Sequence, residues 1–121
     1  MPVAILLCLS MLSGCDKPAQ GRSGAYSAAD AISGKLAIYH YGCPTCHRIP
    51  GIAGANASVG PSLERMAERQ YIAGILANRP DNMVAWLLDP PSLKSATAMP
   101  KLGMPRRDAE DIAAYLYTLR R

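Results

Sequence analysis

Apolar residues along this chain fall into a few helical stripes separated by stretches without a period. After Ser27 come Ala31, Ile32, Leu36, Ala37 and Ile38, with Ser27 and Asp30 spaced as an N-terminal cap and Gly42 stopping the run. Leu63, Met66 and Ala67 predict a short helical turn, and residues 71–76 predict another. Pro80 and Asp81 open a helix bearing Met83, Val84, Trp86, Leu87 and Leu88. Asp89-Pro90-Pro91 ends it, because a residue before proline avoids helical backbone. The last stripe, Ile112, Tyr115, Leu116 and Leu119, lies within residues 106–121. No segment reads as a strand, so the expected fold class is all-α, with three to five helices.

The chain before Ser27 has a different pattern. Residues 3–12 form an apolar run with the length of a signal-peptide core, too short to span a bilayer comfortably. The run leads into Leu12-Ser13-Gly14-Cys15, which resembles the bacterial lipoprotein box, where cleavage before the cysteine follows lipid attachment to its sulfur. Asp16 resembles the signal that retains such lipoproteins in the inner membrane. Nothing basic precedes the apolar run, so an ordinary cleaved signal and an uncleaved anchor stay open as alternatives. Residues 16–26 are rich in Gly, Pro and polar side chains and read as a tether, with a typical reach of roughly 18 Å. The expected organisation is a signal over 1–14, a tether over 15–26 lipidated at Cys15, and one folded domain over 27–121, held on the periplasmic side of the inner membrane.

The chemistry is concentrated in Cys43-Pro44-Thr45-Cys46-His47. Cys-x-x-Cys-His is the attachment pattern of a c-type haem: each thiol adds across a vinyl group, and the histidine becomes an axial iron ligand. A structural zinc site would need two more ligands, yet the other cysteines, Cys8 and Cys15, lie in the N-terminal segment. A thioredoxin-like pair would need β-branched strands around it, and the flanks are Ala, Leu and Gly instead. Composition favours haem: 121 residues without one Phe make a thin core that a buried macrocycle would complete. The net charge of +4 has no lysine run or aromatic interleaving, which excludes nucleic acid as the expected partner and leaves a basic docking face for an acidic protein.

A second axial ligand is sought among Met66, Met83, Met99, Met104 and His40. Met66 and Met83 sit on apolar helical faces, where methionine is usually core filler, and His40 is too close to the attachment site to reach the far side of the ring. Met99 and Met104 both lie in the irregular, proline-bearing stretch 92–105.

Cys43 to His47, then Gly60-Pro61-Ser62-Leu63, Asp89-Pro90, Met99-Pro100 and a final helix with Tyr and Leu together resemble a class I cytochrome c. Ile49-Pro50-Gly51, Tyr71-Ile72-Ala73-Gly74 and Met99-Pro100-Lys101-Leu102-Gly103 are similar to the bacterial cytochrome c domains found free or fused to the copper-binding subunit of haem-copper oxidases. The resemblance implies a cytochrome c fold around one haem c and favours Met99 over Met104 as iron ligand. It implies that the Pro61 carbonyl accepts the Nδ1 proton of His47, that Leu63 packs on the ring, that Arg69 lies near a haem propionate and that Trp86 lines the pocket. Arg69 reads equally well as a solvated helix-end charge. Gly34 and Ile38 are expected to meet Tyr115 and Leu116 where first and last helices touch.

Ligation by His47 and Met99 would leave no open iron position, so the expected role is an electron carrier with no small-molecule substrate, not an enzyme, alone or as a subunit of an oxidoreductase complex. The resemblance implies a quinol-oxidising complex or another cytochrome as donor and a terminal oxidase as acceptor. Arg48, Lys94, Lys101, Arg106 and Arg107 are candidate rim charges for docking, each alone more ordinarily a solvated side chain. Two rivals from other classes are a haem enzyme or gas sensor with a labile Met99 and a non-haem assembly lipoprotein.

Overall fold

The computed structural model describes residues 26–121; the expected signal, the lipid site at Cys15 and all but Tyr26 of the expected tether lie outside them. Helices α1 (Ala28–His40), α2 (Pro80–Leu88), α3 (Pro90–Leu93) and α4 (Arg106–Leu116) are joined by loops that contain two 3-10 turns, Cys43–Thr45 and Met66–Glu68, and a two-stranded hairpin.

α1 starts at a complete capping box: the Ser27 hydroxyl accepts the Asp30 amide at 3.2 Å, and the Asp30 carboxylate accepts the Ser27 amide at 2.9 Å. It stops because Gly42 takes a left-handed φ of 72°, turning the chain directly into the cysteine motif. α4 crosses α1 at contact distance, made possible by Gly34: a Cβ there would lie 1.8 Å from the Asp111 carbonyl oxygen. This contact sits a turn earlier on α4 than the Tyr115 and Leu116 pairing expected for Gly34. Ile38, Ile112, Ala113 and Leu116 are buried around it, in one core with Met66, Met83, Trp86, Leu87 and Met104.

The all-α expectation needs one correction. Residues 71–76 form no helical turn; strand β1 (Tyr71–Ile72) pairs antiparallel with β2 (Leu76–Ala77), Tyr71 opposite Ala77 and Ile72 opposite Leu76. Ala73 and Gly74 both have positive φ, 52° and 74°, which closes a short hairpin and is incompatible with a right-handed helix. Two further differences are smaller. α3 follows α2 after the single residue Asp89, since prolines fit the first turn of a helix. α4 ends at Leu116, not at the chain end, and the Leu119 carbonyl instead accepts the Ala67 amide.

Candidate prosthetic-group site

The loop after α1 presents both thiols and the histidine from one tight turn. The Thr45 amide bonds the Gly42 carbonyl, and the Cys46 and His47 amides both bond the Cys43 carbonyl, at 3.2 and 3.0 Å. Cys43 and Cys46 are half-buried and carry free thiols. Burial, the largest cause, pushes the Cys43 thiol above its ordinary value.

His47 is held by its neighbours. Its Nδ1 lies 2.7 Å from the Pro61 carbonyl oxygen, the contact the resemblance implies. A carbonyl can only accept, so Nδ1 is the donor, and in the neutral ring this tautomer leaves the lone pair on Nε2. Gly60 provides the cradle behind the ring: a Cβ there would stand 2.6 Å from His47 Cε1 and 2.8 Å from Nδ1. The loop from His47 to Leu63 is closed on itself by Gly60 N to Cys46 O at 2.7 Å, Leu63 N to Arg48 O at 2.8 Å and Ile49 N to Ala55 O at 3.0 Å. Two helices pin it from outside, Tyr115 of α4 donating to the Pro50 carbonyl at 2.7 Å and Tyr39 of α1 to the Ala53 carbonyl at 3.1 Å.

Arg69 has a partner set that the sequence does not suggest. Its Nη2 donates to the carbonyls of Ser62 at 2.5 Å and Glu64 at 2.8 Å, clamping the segment that carries Pro61 and Leu63. It is therefore a structural clamp rather than a solvated charge. Asn78 braces the clamp from behind: its Nδ2 donates to the carbonyls of Arg69 and Met66, both at 2.8 Å, and its Oδ1 accepts from the Tyr117 hydroxyl at 2.8 Å. Burial first, then Tyr26 stacked at 6.0 Å, pushes the Tyr117 hydroxyl up to about 12, so it remains a donor. Asn78 and Tyr117 escaped the sequence reading because their partners are backbone or amide groups, invisible to a search for charged or ligating side chains.

The methionines separate by environment. Met66, Met83 and Met104 are buried core residues, whereas Met99 is half-buried in the loop between α3 and α4, packing on the core's edge. Leu63 likewise packs against the core's edge, and Trp86 lies within the core. Among the described residues no group of three or more His, Cys, Asp and Glu side chains converges as a metal site. The chemistry of the donor set fits a covalently attached haem: two free thiols one turn apart, an imidazole with its Nε2 lone pair available, a glycine cradle behind that ring and a loop thioether.

Of the five candidate rim charges, four form ion pairs and Lys94 donates to the Ala73 carbonyl at 3.1 Å. Arg48 pairs with Glu64 at 3.1 Å, Arg106 with Glu110 at 3.6 Å and Arg107 with Asp111 at 4.0 Å. Lys101 reaches Asp89 at 2.6 Å, fastening the Met99 loop to the end of α2. That hydrogen bond holds the Asp89 carboxyl below its ordinary value. A depressed carboxylate contributes above its unfolded pKa and loses its contribution as pH falls through its folded one. The Met99 loop should therefore stay fastened at neutral pH and loosen in acid below the usual carboxylate range. Amide hydrogen exchange across residues 97–103 should accelerate there beyond the intrinsic pH trend, and Asp89→Asn should show the faster exchange already at neutral pH. Equal protection in wild type and variant at neutral pH would refute the fastening.

The chain is similar to cytochrome c oxidase subunit 2 of Alkalihalophilus pseudofirmus (strain OF4), 35% identical over 91 residues, which cover 74% of this chain and 26% of that subunit. It is 34% identical over 65 residues to cytochrome c oxidase subunit 2 of Bacillus sp. (strain PS3), covering 52% of this chain and 18% of that one. This chain thus spans about a quarter or less of the relatives' length. No family model matches the chain, and no solved structure matches it. The similarity is thus to part of a cytochrome c oxidase subunit, the kind of protein whose fused domains the motif resemblance named.

Proposed function

We propose that this chain is an electron carrier of the class I cytochrome c type, with one haem c bound through thioethers to Cys43 and Cys46 and with His47 and Met99 as axial ligands. The observation that carries this reading is the His47 Nδ1 to Pro61 carbonyl contact at 2.7 Å, immediately beyond two free thiols, because it occupies Nδ1 and leaves Nε2 as the ring nitrogen that would bind iron. When bound, the haem supplies reversible storage of one electron. His47 and Met99 would fill both axial positions, excluding substrate, and a methionine ligand raises the reduction potential. Arg69, Gly60 and Pro61 keep the imidazole oriented. Leu63 and Trp86 supply apolar surface.

The relatives' name supports a place beside a terminal oxidase; the donor, by the motif resemblance alone, would be a quinol-oxidising complex or another cytochrome. An N-terminal anchor, by lipid on Cys15 or by an uncleaved 3–12 segment, would keep the domain at the membrane; no helix among the described residues is long and apolar enough to cross one.

Acid-acetone extraction of the denatured protein should leave the colour on the polypeptide, and Cys43→Ala with Cys46→Ala should release essentially all of it. Haem extracted from the wild type overturns the covalent assignment. The visible spectrum separates the rivals: low-spin and indifferent to carbon monoxide for a carrier, altered by carbon monoxide for an enzyme or sensor, and without haem bands for a non-haem lipoprotein.

A further inference from the structure

α1 is apolar on two opposite faces. Gly34 and Ile38 face α4, while Ile32 and Leu36 on the other side are 67% and 68% exposed, with Tyr39 beside them at 43%. Their spacing of four and then three residues puts the three side chains on one line, about 10 Å long at 1.5 Å per residue. Exposed Lys35 flanks the line, and the Tyr39 hydroxyl donates to the Ala53 carbonyl, which ties that end of the line to the loop after the cysteine motif. Exposed apolar side chains aligned on one helix face, unlike ones scattered singly, form a contiguous patch on which a partner surface can sit.

A second copy of the chain is a poor one. Three side chains fall far short of the roughly 1,200–2,000 Å² that a stable protein pair buries. The chain that enters α1 indicates a better one: residues 1–25 precede Tyr26, with an apolar run over 3–12 and Cys15 upstream. The typical distance from the N-terminus of α1 to the bilayer is then roughly 18 Å for an anchor at Cys15 and roughly 21 Å for one at residues 3–12. With aliphatic side chains in the centre and a tyrosine and a lysine at the margin, the line sets apolar groups toward acyl chains and amphipathic ones at headgroup level. The net charge of +4 favours an anionic surface.

We propose that the outer face of α1 is a membrane-surface contact, with Ile32 and Leu36 entering the boundary between headgroups and acyl chains and Tyr39 and Lys35 at headgroup level. The proposal rests on the anchored reading of the N-terminal segment. The contact can be weak, because an anchored chain meets the surface at high effective concentration. It would lay α1 flat and hold the turn bearing Cys43 and Cys46 at a constant height above the bilayer.

The test uses the full chain in vesicles of phosphatidylethanolamine and phosphatidylglycerol that contain a phospholipid with a diazirine in its acyl chain. After illumination, mass spectrometry should find lipid adducts at residues 32–39 as well as in the N-terminal segment. Exposed Val59 and Tyr71 should remain unlabelled. Ile32→Gln with Leu36→Gln, both at exposed positions and therefore neutral to the fold, should lose the α1 adducts and keep the N-terminal ones. Adducts confined to residues 1–25 would overturn the docking face while leaving the anchor intact. Adducts spread equally over Val59 and Tyr71 would also overturn it. Absence of adducts everywhere would overturn the anchor and the docking face together.

Discussion

Gly34→Val should cost the protein a large share of its stability. A Cβ at this position would sit 1.8 Å from the Asp111 carbonyl oxygen, 2.5 Å from its carbon and 3.0 Å from the Ile112 amide nitrogen. Each obstacle is backbone in the middle of α4 and cannot rotate aside, so relief requires α1 and α4 to separate. Separation opens the packing of Ile38, Ile112 and Ala113, which are almost wholly buried. Overpacking alone costs about 1–3 kcal/mol. A β-branched side chain wedged between backbones belongs at or above the top of that range, against a total stability of about 5–15 kcal/mol for a domain of ordinary size. The denaturation midpoint should fall steeply, while Ser33→Ala on the exposed side of the same helix should leave it nearly unchanged. A Gly34→Val variant with the wild-type midpoint would mean that the helices do not cross here.

Met99→Ala should change the electronic properties of the loaded protein without a comparable loss of stability. Met99 is half-buried in a loop, so truncating it empties little core, yet on the proposed reading it removes an axial thioether. The weak red thioether-to-iron band should vanish, exogenous imidazole or carbon monoxide should bind, and the reduction potential should drop by on the order of 0.1 V, within the about 0.8 V that axial ligands command. Met104→Leu should do the reverse. Met104 is a buried core residue, and a volume-conserving exchange there costs less than about 1.5 kcal/mol and leaves spectrum and potential in place. If Met104→Leu changes the spectrum and Met99→Ala does not, the ligand assignment is wrong.

Local rules with short range were readable in the chain. Ser27 and Asp30 announce the start of α1, Gly42 announces its end, and Pro80 opens α2, because each acts on backbone groups within one turn of itself. The Cys43 to His47 motif was legible for the same reason: its chemistry depends on adjacent residues. Apolar spacing was a poorer guide. It counted Ile32 and Leu36 together with Ile38 as one stripe, although periodicity marks which residues are apolar and not which of two faces meets the core. The hairpin at Tyr71–Ile72 and Leu76–Ala77 went unseen because two-residue strands have too few positions to alternate, and the deciding signal was the positive φ of Ala73 and Gly74. Arg69 was read by its charge, whereas what it engages are two backbone carbonyls. A carbonyl belongs to every residue alike, so no pattern of side chains can reveal which one an arginine will find.

The loop from His47 to Leu63 is laced to itself and fastened to α1 and α4 by the hydroxyls of Tyr39 and Tyr115. On the proposed reading, a ligand held so firmly would have few soft coordinates along which to relax when a charge arrives or leaves nearby, so the nuclear rearrangement accompanying each exchange would be small. The pace of exchange would then be governed by how near a partner approaches and how long it stays. Two loosely docked proteins can satisfy both conditions without either of them changing shape.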